Sequence, residues 1–537
     1  MREDIVGNSI SNSVILSPSF GRRISRNIAG LIALSWLFYQ LLGWPKSLEG
    51  AIKFERLREI LRPKEGLRMT GIKKHFPILN YVAAVCILLL PLSAFSQNDK
   101  VQVIVTKGVE RVRIAVADFK AANADPNTAV LLTTFNQVLY SDLQNAGIFD
   151  VVSKSFNPLQ IPGNPEDLTP CDVPPGTRNV NPATCPKKLD AWGNPPANAA
   201  MLAFGNLGVS GGQVAVYGWL YDVKNTVAPQ VLGKQYREDA APDNARHIAH
   251  EFADEIIFRL GGGIPGVAES KIVFVSNRSG TKEIWAMDYD GYGEHQITHL
   301  GGVSLSPRIS PDNSRIAFIE LGKRSVNIRM YSLDLNRLVT FPSIGGTTLS
   351  PAWSPDGSHL AFSSSRTGDP EIYVSNSAGG ELKRITEAHG PDVSPVWNPK
   401  TGAQIAWVSG RSGLPQIYTM AADGTNPQRM TDTGYAVSPS WSPDGQWLAF
   451  AWSRKYGPGI PGGQDIYIMD VASKQWSQLT HDSGTNDFPS WSPDGRHIIF
   501  QSNRTGTTQI WTMLADGTQQ QQLTHTGQNS QPNWSWK

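Results

Sequence analysis

The sequence predicts a multidomain protein in which an N-terminal α/β domain precedes a six-bladed all-β propeller closed by its terminal strand. Three observations predict it. One phrase recurs at near-constant intervals through the C-terminal half. The two ends of that half read as complementary fragments of one repeat. A stretch of mixed helix and strand periodicity lies in front of it.

The phrase is Pro351-Ala-Trp-Ser-Pro-Asp-Gly357, repeated at Pro439–Gly445 and Pro489–Gly495. Weaker copies are Pro307-Arg-Ile-Ser-Pro-Asp-Asn313 and Pro395-Val-Trp-Asn-Pro-Lys400, and Pro532-Asn-Trp-Ser-Trp536 is truncated. The leading prolines are 44, 44, 44, 50 and 43 residues apart, the length of a propeller blade. Each unit reads as four short strands. The first ends in Trp-Ser and turns at Pro-Asp-Gly, where Pro fixes φ and Gly accepts positive φ. The second is apolar, as in Leu360-Ala-Phe-Ser363. The third carries Ile-Tyr or Ile-Trp, as at Ile372-Tyr373 and Ile510-Trp511, and the fourth ends in Leu-Thr or Ile-Thr. Large aromatics at fixed positions would fill the wedges between blades, which a lone four-stranded sheet could not bury.

The ends explain one another. Lys271-Ile-Val-Phe-Val-Ser begins as a second strand with no first strand before it, and Gln531–Lys537 is a first strand with nothing after it. Joined, they make a sixth blade and remove two open sheet edges. The propeller is therefore expected over 265–537. A seven-bladed ring of the WD type is the alternative, but its Gly-His and Trp-Asp signatures are missing.

The preceding domain is expected over 97–262. Arg111–Phe119 alternates like a half-buried strand, and Thr128–Ala146 places Leu131, Phe135, Leu139 and Leu143 on one helical face. A further strand is read at Val214–Tyr221, and a second amphipathic helix at Asn244–Leu260 stops at Gly261. An insertion rich in Pro, Gly and Asn is expected over 154–200. It carries Cys171 and Cys185, which an oxidising compartment could join as a disulfide; two free surface thiols are the alternative.

Composition agrees with a folded, exported, turn-rich protein. Of 537 residues, 50 are Gly and 37 Pro, more than a helical protein uses. Residues 1–96 carry 13 Lys/Arg against 6 Asp/Glu, whereas 97–537 carry 35 against 40. A mildly acidic body without a basic stripe argues against nucleic acid as a partner. Residues 69–96 form a secretory signal: Lys73 and Lys74, an apolar run from Ile78 to Leu92, then Ala94-Phe95-Ser96 at the cleavage position. Residues 1–68 fit poorly in front of a signal. Their apolar stretch Ile28–Trp44 follows Arg22, Arg23 and Arg26, so a membrane helix or a twin-arginine signal are readings of it. The favoured reading is a start at Met69, with 1–68 a mis-assigned extension.

Taken together, a secretory signal, a small α/β domain and a strand-closed six-bladed propeller resemble the TolB family. The repeat phrase, Ala249–Ile256 and Asp288-Tyr-Asp-Gly-Tyr292 resemble it too. The resemblance covers most of 97–537 and fails in the Cys171–Cys185 insertion and in 1–68. It implies a non-enzymatic periplasmic scaffold of the Tol–Pal envelope system, serving outer-membrane integrity and cell division. The implied partners are the peptidoglycan-associated lipoprotein Pal, held at one propeller mouth, and a TolA-like inner-membrane protein, reached by the N-terminal segment. Carried over by offset from the repeat, the mouth would be Thr347, Thr348, Ser350, Val393, Ser394, Val437, Ser438, Asp487 and Phe488. The N-terminal segment would include Gln97, Lys100, Val101, Gln102 and Val103. Contact with the membrane would come through partners only.

Catalytic and metal motifs are weak. Gly208-Val-Ser-Gly-Gly212 matches a hydrolase elbow but sits in a Gly-rich turn without a following helix. His247 and His250 lie one helical turn apart beside Glu251, in an order that fits neither zinc-protease motif. Asp288, Asp290 and Glu294 could hold calcium, but a Gly-supported hairpin needs no ion. A cation in the propeller channel stays an open alternative. No phosphate loop or dinucleotide fingerprint occurs, so no cofactor and no metal are expected. The rival functional class is an exported propeller hydrolase or a sugar- or peptide-binding propeller.

Overall fold

The computed structural model describes residues 111–168, 189–225, 227–323, 325–454, 463–481 and 483–536. The extension 1–68, the signal 69–96, the segment from Gln97 to Val103 and the Cys171–Cys185 pair lie outside the described residues.

The α/β domain is one mixed sheet with helices on one face. Its strands are β1 (Val112–Val116), β2 (Lys120–Ala121), β3 (Phe149–Val151), β4 (Met201–Ser210), β5 (Gln213–Asp222) and β6 (Gln230–Asp239). They are ordered β3-β1-β4-β5-β6, with β2 pairing β4. The β1–β3 and β1–β4 pairs are parallel, whereas β4, β5 and β6 run antiparallel. Helices α1 (Pro126–Asn145) and α2 (Pro242–Leu260) cover one face. Helix α1 starts where Asp125 caps the Asn127 N–H at 2.8 Å and Pro126 sets the first turn. The two helices bury Phe135, Leu139, Phe252 and Ile256 against Ile114, Val116 and Val216.

Four strands, the short β2 and β3 and the long β4 and β6, are not legible in the sequence. Strand β4 is central and buried on both faces, so its apolar residues run on instead of alternating. It also contains Gly205, where a Cβ would lie 2.1 Å from the Tyr217 carbonyl oxygen and 2.2 Å from the Phe119 ring. Glycine is the residue that lets β5 and Phe119 approach there. Strand β6 is an edge on which Gln235, Arg237 and Asp239 are exposed, along with Val231. The flanks of the 154–200 insertion close the second face of the sheet: Leu168, Leu189 and Trp192 pack with Leu202, Phe204 and Tyr221.

The second part is a six-bladed propeller, as the repeats predict. Five four-stranded antiparallel sheets follow one another through the chain, and the sixth joins Asn529–Trp534 to Lys271–Ser276 and its two successors. The closing strand is bound on both sides. The Trp534 indole donates to the Ser270 hydroxyl at 2.6 Å, and the Asn533 and Gln531 side chains accept from the Ile309 and Ser306 N–H groups of the next blade. The second strand of each blade carries one fully buried aromatic: Phe274, Phe318, Phe362, Trp407, Phe450 and Phe500.

The Ser-Pro-Asp-Gly turn has its own chemistry. Ser354 Oγ donates to Asp356 Oδ1, which also accepts the Ser358 N–H, and the pattern repeats at Ser310–Asp312 and Ser492–Asp494. These hydrogen bonds pull the Asp356 carboxyl down to about 2. No described helix is long and apolar enough to cross a membrane.

Candidate site: the propeller channel and the seam between domains

Every first strand breaks its pairing at the same place, across the residue before the leading proline and the proline itself. The residue before proline there has positive φ: Ser306 (53°), Ser350 (51°), Ser394 (53°), Ser438 (53°), Phe488 (51°) and Gln531 (52°). Neither a side chain with a Cβ nor a pre-proline position favours this region. The conformation persists because the neighbouring strand fixes it, as at blade 1, where Ser306 N–H donates to Gln531 Oε1. The bulge turns the strand so that four successive blades present a serine, and the fifth Phe488, to the propeller axis.

The result is a central channel of about 290 Å³. Ser306, Ser350, Ser394, Ser438 and Phe488 line it, followed deeper by the residues after each proline. Indoles tie the wall together: Trp353 and Trp441 donate to the Arg308 and Val396 carbonyl oxygens of the preceding blade, and Trp536 donates to that of Ile309. At the position after the leading proline, five blades carry Ala352, Val396, Ser440, Ser490 and Asn533, and the sixth carries Arg308. Arg308 is the one charged side chain among the described residues lining the channel. Its Nη1 donates to the Pro307 carbonyl oxygen at 2.9 Å, and burial pushes its guanidinium down to about 10.

Of the nine mouth positions expected from the sequence, the channel brings together Ser350, Ser394, Ser438 and Phe488. Val393 and Val437 pack against the cores between blades. Thr348 is buried and donates to the Val326 carbonyl oxygen, while Thr347 is exposed at a turn, its N–H on Ser365 Oγ. Burial raises the Asp487 carboxyl, while hydrogen bonds from Ser438 and the Phe488 N–H pull the other way. Arg308 is not among the expected mouth residues, because it lies beyond the leading proline in a weak copy of the repeat, Pro307–Asn313. The signal was there, as a cation where five sister positions are small or neutral.

Strand direction decides which mouth is which. Each first strand runs from the pre-proline bulge to the Ser-Pro-Asp-Gly turn. The α/β domain meets the propeller at the turn end. His497 Nε2 lies 2.7 Å from the Asn145 carbonyl oxygen, and Arg496 donates to that of Gly261. The serine-bearing mouth therefore faces away from the α/β domain.

A buried polar network forms the seam. Asp142 of α1 is 2% exposed; its Oδ2 lies 2.7 Å from His250 Nδ1 of α2, and its Oδ1 accepts from the Tyr289 hydroxyl at 2.5 Å. Arg246 reaches Asp290 at 2.7 Å and lies 3.9 Å from the centre of the Tyr292 ring. Burial is the largest influence on His250 and lowers it, but the hydrogen bond and charge of Asp142 more than reverse this, leaving it raised. Asp254, which accepts from the Ala268 N–H of the linker, is pushed up to about 7, mainly by burial.

The remaining motifs find ordinary places. Ser210 ends β4, and Gly211 and Gly212 take positive φ in the two-residue turn to β5, the geometry of a hairpin and not of a strand-to-helix elbow. Asp288 pairs with Lys271, Asp290 with Arg246 and Glu294 with Arg278. His247 lies between Glu238 (2.5 Å) and Glu269 (3.3 Å), with ligand atoms of Glu238, His247 and Glu251 within 4.8 Å of one another. Burial, the largest influence, lowers His247, and the surrounding carboxylates raise it overall. His250 instead faces the seam.

Fold and site define a class: a strand-closed six-bladed propeller with a serine-edged channel, carried on an α/β domain at its opposite face. The family model described as the TolB beta propeller domain matches residues 259–457 and 431–537, which together span more than half of the 537 residues. The chain belongs to the TolB β-propeller family. A Protein TolB homolog of Chlorobium chlorochromatii is 37% identical over 145 residues, 27% of this chain and 31% of the relative. A Tol-Pal system protein TolB of Cereibacter sphaeroides is 30% identical over 47% of this chain and 52% of its own length. The chain thus spans about half or less of the length of these relatives. The crystal structure of TolB from Acinetobacter baumannii shares the fold, with a TM-score of 0.64 at 23% identity over 79% of this chain and 97% of that one.

Proposed function

We propose that this protein is a non-enzymatic, periplasmic scaffold of the Tol–Pal envelope system that holds Pal at the serine-bearing mouth of its propeller. The observation that carries the reading is that mouth: a ring of bulged strands, open to solvent and on the face away from the α/β domain. Membership of the TolB family supports the system, and the relatives' own names tie them to it. The rigid strands support a docking role, because a preorganised surface loses little conformational freedom on binding. Export through residues 69–96 and a contact between Gln97–Val103 and a TolA-like protein belong to the same reading.

The test is binding of the same organism's soluble Pal domain to the immobilised protein, with and without the double substitution Ser350→Arg and Ser394→Arg. Two long cations at the mouth should weaken binding by about 100-fold or more through lost shape complementarity. A well-folded protein that does not bind Pal would remove the assignment, and the mouth would then be screened for small ligands.

A further inference from the structure

The channel contains a charge that no side chain among the described lining residues balances. Arg308 stands two residues beyond Ser306 on the first strand of blade 1, further from the serine-bearing mouth. No carboxylate lies among the described residues that line the channel. Among the described residues the one hydrogen bond of its side chain is the 2.9 Å contact with the Pro307 carbonyl oxygen, so most of its five N–H donors have no acceptor among them.

Space-filling is a poor account of this residue. The five sister positions are filled by Ala352, Val396, Ser440, Ser490 and Asn533, so the wall closes without a long side chain. An arginine enclosed by protein is ordinarily paired, because an uncompensated buried charge is costly. Arg308 is surrounded by the blades yet keeps contact with solvent through the channel. A cation desolvated and left unpaired along an open channel is arranged to meet an anion that arrives from outside.

We propose that the channel is a carboxylate-binding site in which Arg308 takes, in its planar fork, a side-chain carboxylate that the docked partner inserts past the serine ring. This rests on the reading of that mouth as the docking face. The chemistry favours a carboxylate because the guanidinium matches its two oxygens in a bidentate pair. A single cation balances its one charge, whereas a phosphate dianion would keep an uncompensated charge inside the wall. Ser306, Ser350 and Ser394 supply neutral hydroxyls that do not compete for the cation.

The experiment compares the purified full chain with Arg308→Gln and Arg308→Lys, using glutarate and inorganic phosphate in calorimetric titrations and the soluble Pal domain in a binding assay. Glutarate should bind the wild type saturably, bind the lysine variant more weakly and fail to saturate the glutamine variant. It should also compete with Pal. Pal affinity should fall about thirtyfold or more in Arg308→Gln, the low end for truncating one partner of a desolvated pair. Unchanged thermal unfolding shows that the glutamine variant is folded; if it is not, the lysine variant alone decides, by whether losing the planar fork weakens glutarate.

Glutarate binding that ignores both substitutions overturns the site, and phosphate binding more tightly than glutarate overturns the carboxylate assignment. Glutarate bound through Arg308 without displacement by Pal makes the ligand a free small carboxylate and refutes the partner's side chain as its source. The two readings fail separately. Pal bound equally by wild type and Arg308→Gln leaves the docking face standing and removes this inference. Arg308-dependent glutarate binding with no Pal binding removes the docking reading alone.

Discussion

Asp142 holds the seam between the domains, and replacing it with asparagine measures that hold. Its two oxygens serve two partners from different elements, His250 at 2.7 Å and Tyr289 at 2.5 Å, and all three side chains are nearly inaccessible to water. An asparagine keeps one acceptor and turns the other atom into a donor, so one partner faces a donor with its own donor. A buried hydrogen bond to a charged group contributes about 1.5–3 kcal/mol. The imidazolium also loses its counter-charge, which in a buried pair costs about 3–5 kcal/mol unless the group neutralises. Histidine can neutralise, so the expected cost of Asp142→Asn is about 2–4 kcal/mol, below the plain sum.

The pH dependence carries the sharper test. His250 is raised above its ordinary value in the folded protein, so its contribution is fully present below about pH 6.5 and is lost as pH rises through the raised value. The difference between wild type and Asp142→Asn should therefore be larger at pH 5.5 than at pH 8.5. Urea unfolding followed by tryptophan fluorescence at both values measures it. A cycle with Tyr289→Phe should return a coupling of about 0.5–3 kcal/mol. A cost below about 0.5 kcal/mol at both pH values, or no coupling, would mean that the seam is held elsewhere and that the network is incidental.

Three further outcomes are expected. Asp254 keeps its proton in the fold up to about pH 7 while the unfolded chain ionises near 3.8, so this group takes stability away as pH rises between those values. Asp254→Asn should flatten that slope, a difference of about 2–4 kcal/mol at pH 7.5 in urea titrations. Removing residues 529–537 should abolish cooperative unfolding in calorimetry, because it unpairs Lys271–Ser276 and exposes two sheet edges. Phe362→Ala, at a side chain with no exposure, should cost about 3–5 kcal/mol in chemical denaturation without changing partner binding.

The sequence by itself determined the propeller. The repeated proline, tryptophan, Ser-Pro-Asp-Gly turn and apolar second strand are local signals, and each copy is checked by the others. The incomplete ends at Lys271 and Gln531 fixed the blade count and the closure, because half a blade is unstable alone. The α/β domain was legible only where periodicity was clean, in β1, α1, α2 and β5. Strand β4 escaped because a strand buried on both faces does not alternate, and Gly205 reads as a turn signal until the crowding of Tyr217 and Phe119 is seen.

The site was less legible, for a physical reason. The offset from the repeat located the bulge, yet neighbouring residues on a strand point to opposite sides, so Ser394 lines the channel while Val393 packs between blades. Sequence could flag Arg308 as unusual, but only the closed ring reveals that no carboxylate shares its channel among the described residues. The seam is the clearest case. Asp142, His250 and Tyr289 belong to two helices and a propeller turn, with up to 147 residues between partners. Nothing in the local sequence around any of them names the others. Tertiary structure brings them together, and burial then gives each contact its weight.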